Sequence, residues 1–151
     1  MKPSQNLKKN NKIKKIFLLS IIATLLLAGF NSCTTYDEGP GFTVLTANAR
    51  IKGTWKQTEL YINDNPQGDT YKIEFTFDSD GTGTRSVNIN GSSATYDIDW
   101  QLNNDKTVIM FKNNGDDEWS ETTIIRLTNK ELWIEEISVI FGVMQFRYEK
   151  V

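Results

Sequence analysis

The chain has 151 residues, with 17 basic and 19 acidic side chains, no histidine and one cysteine. The commonest general base and transition-metal ligand is therefore missing, and a lone thiol cannot close an internal disulfide. Six lysines and no acid precede Cys33, whereas all 19 acids follow it, so residues 33–151 carry a net charge of −8. So acidic a body argues against nucleic acid as a partner, which needs a basic surface.

The N-terminus has three parts. Residues 1–15 are basic, and Ile16 to Gly29 (IFLLSIIATLLLAG) is an unbroken apolar run of 14 residues. That is shorter than the ~20 residues of a membrane-spanning helix and within the roughly 7–15 of a signal-peptide core. The lysines would stay on the cytoplasmic side. Phe30-Asn31-Ser32-Cys33 follows. The segment resembles the lipobox of bacterial lipoproteins, in which the cysteine thiol is acylated and the cysteine becomes the new N-terminus. Ser32 suits the small residue before the cysteine, while Phe30 departs from the commoner Leu. The resemblance implies a signal peptide over 1–32 and lipidation at Cys33. An ordinary cleaved signal that leaves a free thiol, or an uncleaved anchor, are the other readings. Acyl chains stabilise attachment by about 0.8 kcal/mol per buried methylene. The acidic body would be repelled by anionic headgroups, so lipid rather than protein surface is expected to hold it to the membrane.

The remaining 119 residues make one domain, large enough to bury a core. From Thr34 to Ala49 the chain reads TTYDEGPGFTVLTANA, and Gly39-Pro40-Gly41 suits neither a helix nor a central strand. Residues 33–49 are read as the acylated cysteine and a flexible tether, and 50–151 as the folded domain. Asp37-Glu38 resembles the acidic signals that send some lipoproteins to the outer face of the outer membrane. The expected location is the outer membrane, on its periplasmic or cell-surface side.

From Ile51 onward the hydrophobic period is two. Tyr71, Ile73, Phe75 and Phe77 alternate with polar residues, as do Tyr96, Ile98, Trp100 and Leu102. These are half-buried antiparallel strands. Ile51 to Ile62 forms another, but Trp55 falls on one face and Leu60 and Ile62 on the other, which predicts a bulge or bend between Lys56 and Glu59. Thr84–Ile89, Thr107–Lys112, Ser120–Leu127, Glu131–Ile137 and Val143–Glu149 complete eight strands. Asn-, Asp- and Gly-rich turns join most of them. The fold class is all-β: an antiparallel up-and-down meander that closes, or nearly closes, into a barrel. An open sheet or sandwich is the alternative, and any helix should be single and short.

Gly53-Thr54-Trp55 within IKGTWKQTEL resembles the Gly-x-Trp signature of lipocalins. FTFDSDGTGT and the closing FRYEK are similar to small lipocalin-like lipoproteins of Gram-negative bacteria. The resemblance spans Ile51 to Val151 and implies that Trp55 closes one barrel end, with Arg147 from the last strand, or else Arg126, packed across its indole. Gly53, Trp55 and Arg147 would then be structural.

Asp78-x-Asp80-Gly81 invites a calcium loop, but the twelfth position is Ile89 rather than Glu, so a hairpin turn is the expectation. Asp116-Asp117-Glu118 falls in a loop and is read as solvated. Asp97 and Asp99 share the polar face of a strand, opposite Ile98 and Trp100, so no catalytic pair is expected; the chain is read as a non-enzyme with no cofactor and no metal. Tyr71, Phe75, Phe77, Tyr96, Trp100 and Phe111 fall mostly on inward faces, where they either fill the barrel or line an apolar pocket; the candidate lining residues are Phe75, Phe77, Tyr96, Trp100 and Phe111. Trp133, opposite Leu132 and Ile134, would mark a partner or carbohydrate surface if exposed, or lie under a loop at an open end. The expected partners are the membrane, through the lipid, and a small apolar ligand, with the protein a monomer. The alternative is a structural or interaction lipoprotein whose core is filled and whose loops recognise an envelope protein or glycan.

Overall fold

The computed structural model describes Tyr36 and residues 45–151; the leader, Cys33 and most of the tether lie outside the described residues. Among the described residues the chain forms one short helix, α1 (Ala47–Ile51), and nine strands. These are β1 (Gly53–Ile62), β2 (Asn65–Pro66), β3 (Tyr71–Phe77), β4 (Thr82–Ile89), β5 (Ser92–Leu102), β6 (Val108–Asn113), β7 (Ser120–Leu127), β8 (Glu131–Ser138) and β9 (Gly142–Lys150). Each of the strands from β3 to β9 pairs antiparallel with its sequence neighbour, and β1 pairs with both β3 and β9. The sheet therefore closes into a barrel of eight strands, as expected, with the two-residue β2 added beside the end of β1.

The seam shows why β1 bends. Its ladder with β3 stops at Lys56–Glu74, while its ladder with β9 continues to Ile62–Met144, with a register shift between Gln57 and Glu59. The shift restores Leu60 and Ile62 to the face of Trp55, which is the bulge predicted from the hydrophobic pattern. Gln57 takes over where the β1–β3 backbone pairing ends. Its Oε1 accepts from Ile73 N at 2.9 Å, and its Nε2 donates to Tyr71 O at 3.1 Å. A buried amide is thus satisfied on both sides, which avoids the ~1–3 kcal/mol cost of an unpaired buried polar group.

Tight turns join the strands, as Asn63-Asp64 and Asn90-Gly91 illustrate, each with positive φ at both positions. Gly83 is demanded by closeness rather than by φ, since a Cβ there would stand 2.0 Å from Thr76 O on β3. The core fills from one end. Phe75 stacks on Phe77 at 5.3 Å, Phe77 meets Trp100 at 5.1 Å, and Phe111 packs edge-on against Phe75 at 5.3 Å. Such ring pairs add about 0.5–1.5 kcal/mol each beyond the area they bury.

The segment read as tether up to Ala49 ends differently. Thr46 caps α1 by accepting from Ala49 N, and Ala47, Arg50 and Ile51 are buried. Five residues are too few for a helix stable by itself. Contacts with the barrel hold it. Tyr36 is buried as well, and its hydroxyl donates to Lys106 O at 2.9 Å.

Candidate ligand-binding mouth

The two ends of the barrel differ. At the closed end Trp55 is fully buried, and its Nε1 donates to Ile51 O at 2.6 Å. The cation over its indole is Lys150, with Nζ 5.0 Å from the ring and donating to Arg50 O at 2.8 Å. Burial lowers the Lys150 pKa. Gly53 carries φ 108°, and a Cβ there would lie 2.8 Å from Lys150 Cε, so this glycine lets the strand start beneath the lysine. The arginine buried at this end is Arg50, from α1. It donates to Leu127 O and lies 5.6 Å from the Tyr36 ring centre.

Arg147 does not fill the role expected of it. It sits on the outer face between Trp133 and Tyr61, at 4.1 and 4.5 Å from their ring centres, and it bonds Glu59 at 3.0 Å. Arg126 covers the same Trp133 at 5.1 Å, so the tryptophan is sandwiched rather than offered to a partner. Strand parity places Arg147 outside. In β9, Tyr148 and Lys150 share the inward parity of Phe146, and Arg147 has the opposite one.

The opposite end is open. A cleft of about 480 Å³ is lined by Leu60, Ile62, Tyr71, Glu136, Phe141 and Met144, among others. Part of its rim comes from the β8–β9 turn, an apolar tip in which Val139 and Ile140 are 102% and 79% exposed, beside Ile137 near the end of β8 at 82%. Below the mouth the interior is polar as well as aromatic. Arg85 shares the inward parity of Gly83 and Val87, and Tyr148 that of Phe146. Burial raises the Glu136 pKa against the pull of Arg85, and it raises that of Tyr71. Tyr148, wholly buried, is raised well above the ordinary phenol value, first by burial and then by Glu136 and Tyr71.

The inward aromatics resolve unequally. Phe75, Phe77, Trp100 and Phe111 are buried and packed on one another, so they fill the barrel and do not line the mouth cleft. Tyr96 is 43% exposed, with Arg85 at 5.6 Å from its ring centre. Leu60, Ile62, Met144, Glu136 and Arg85 were not singled out by sequence. A charged residue inside a period-two apolar pattern was the available signal: Glu136 continues the inward series of Leu132 and Ile134. The acidic motifs are locally explained. Asp80 accepts from the Thr82 hydroxyl at 2.7 Å and its amide at 3.1 Å, which lowers its pKa, and Asp99 lies 3.9 Å from Lys112 Nζ on the outer face.

Residues 51–134 match the family described as Lipocalin-like domain. The chain belongs to that family. A crystal structure of a lipocalin-like protein from Bacteroides uniformis superposes with a TM-score of 0.52 at 13% identity, covering 68% of this chain and 99% of that one. At that identity the likeness is one of fold. No curated protein matches the chain by sequence. A lipocalin-like barrel, closed below and open above, supports a binding-module role in general terms.

Proposed function

We propose that this lipocalin-like protein is a lipid-anchored, non-catalytic binding protein of the bacterial envelope that holds a small apolar ligand in the barrel mouth. The observation that carries the reading is the cleft of about 480 Å³ lined by Leu60, Ile62, Phe141 and Met144. Small-ligand sites typically enclose roughly 300–1,000 Å³ with mostly apolar walls. The filled half of the barrel supplies rigidity, and the open half supplies space. The leader supports the anchor: six lysines, an apolar run of 14 residues, and Ser32-Cys33 at its end. The outer membrane is the proposed site, with the lipid rather than the acidic surface making the attachment.

Two experiments test it. Native mass spectrometry of protein extracted from its own membrane should reveal a co-purifying small molecule that Leu60→Arg displaces; the same ligand retained by that variant counts against the mouth. Cys33→Ala should move the protein out of the membrane fraction, and membrane retention of a processed form counts against the anchor. A second reading, recognition of an envelope partner through loops, is favoured by the exposed tip at Val139 and Ile140. It gains if no ligand co-purifies and a photo-crosslinker at Val139 captures a specific envelope component.

A further inference from the structure

Tyr36 ties the N-terminal segment to the closed end of the barrel. Its ring is buried, its hydroxyl donates to Lys106 O in the β5–β6 turn at 2.9 Å, and the Arg50 guanidinium lies 5.6 Å from its ring centre. Arg50 in turn donates to Leu127 O at the end of β7, so tyrosine, helix and turn close this end together. A buried ring whose polar end is also bonded is a fixed point of the chain. Only Thr34 and Thr35 separate it from Cys33. That stretch of chain spans at most about 11 Å. Measured to Thr46, the cap of α1, the reach from Cys33 would be about 45 Å. The nine residues of β9, tilted as in a small barrel, set the mouth about 20–25 Å from the closed end. The longer reach would let the barrel lie in any orientation on a membrane. The shorter one does not.

We infer that the closed end of the barrel is the face turned to the membrane that carries the acyl chains, and that the mouth and the apolar β8–β9 tip point away from it into the aqueous space. The inference rests on lipidation of Cys33 and goes beyond it: lipidation attaches the protein, and Tyr36 sets which way it stands. Charge runs the same way. The mouth loops, 63–70, 90–91, 114–119 and 139–141, carry Asp64, Asp69, Asp116, Asp117 and Glu118 and no basic side chain. At the closed end Arg50, Lys52, Lys106, Lys130 and Lys150 balance the aspartates of turns 78–81 and 103–107 together with Asp37 and Glu38. Anionic headgroups therefore repel the mouth more than the closed end. A ligand or an envelope partner then reaches the mouth from the side away from the anchoring membrane, where Val139 and Ile140 stand exposed.

The test uses the full processed lipoprotein in phosphatidylcholine vesicles whose headgroups carry an acceptor dye. Lipidation occupies the Cys33 thiol, so Lys130→Cys in the β7–β8 turn and Val139→Cys at the tip each give one site for a short-range donor, and both positions are exposed. Energy transfer to the membrane should be severalfold higher from position 130 than from position 139. Equal transfer, or more from 139, overturns the orientation. Tyr36→Ser, at a residue outside every strand, should erase most of the contrast by restoring the longer reach. A Gly-Ser linker of about 20 residues inserted between Thr34 and Thr35, with a root-mean-square span of about 25 Å, should do the same, and it serves even if Tyr36→Ser fails to fold. A contrast untouched by the linker shows that Tyr36 does not set the orientation and overturns the inference. Labelled protein that fails to float with the vesicles overturns the anchor and the orientation with it, whereas floating protein without contrast overturns the orientation alone.

Discussion

Trp55 shows how one side chain organises a barrel end. Its indole N–H reaches Ile51 O, its ring faces Lys150, and the same lysine bonds the Arg50 carbonyl, so helix, first strand and last strand meet on it. Trp55→Phe removes the donor and part of the ring, leaving a buried carbonyl unpaired. A loss of about 1–3 kcal/mol is expected in denaturant unfolding; a change below about 0.5 kcal/mol would show the contact to be dispensable. Glu136 gives the pH prediction. Its pKa is raised on folding, so its protonated form is the better tolerated one. It costs stability once pH rises through the folded-state pKa, and that cost is absent below the ordinary carboxylate value. Glu136→Gln should therefore raise the melting temperature at neutral pH, with the gain shrinking to nothing in acid. A gain that persists at low pH would point to some other cause.

At the scale of elements, the β8–β9 hairpin stands apart. Its strands are paired along their whole length, from Glu131–Glu149 to Ser138–Gly142, yet its tip exposes Val139, Ile140 and Phe141. Exposed side chains contribute little burial energy, so Val139→Lys with Ile140→Lys should leave the thermal midpoint almost unchanged. A clear drop would mean that the tip packs against part of the molecule. α1 is the converse case. It is short, it begins in the stretch to Ala49 that reads as tether, with Ala47 buried, and it ends on the buried Arg50 and Ile51, where the sequence reads the start of the domain and its first strand. Neither element has a sequence period of its own. Three apolar residues in a turn, and three buried residues in a five-residue helix, are too short to register as pattern.

On the scale of the whole molecule, closure is the decisive event. Residues Trp55–Ile62 pair with Met144–Lys150, almost the full length of the domain apart in sequence. Non-local pairing of this kind slows folding, because chain entropy is lost before the contacts reward it. Refolding monitored by tryptophan fluorescence should take milliseconds to seconds, and microsecond refolding would contradict a seam formed in the transition state. The resulting barrel is filled by Phe75, Phe77, Trp100 and Phe111 below and open above. One short chain thereby has both a rigid core and a cleft.

The sequence by itself determined the strands, their alternation, most of the turns, the bulge in β1 and hence an all-β meander able to close. It also carries the acidic charge of the domain and the tryptophan of its closed end. Tertiary structure decided which inward residues fill the barrel and which line its mouth, that Lys150 rather than Arg147 covers Trp55, and that Arg85, Glu136, Tyr71 and Tyr148 share one interior. The reason is geometric. A period of two assigns a side chain to a face but says nothing of its height along the barrel, and height is set by strand register and tilt.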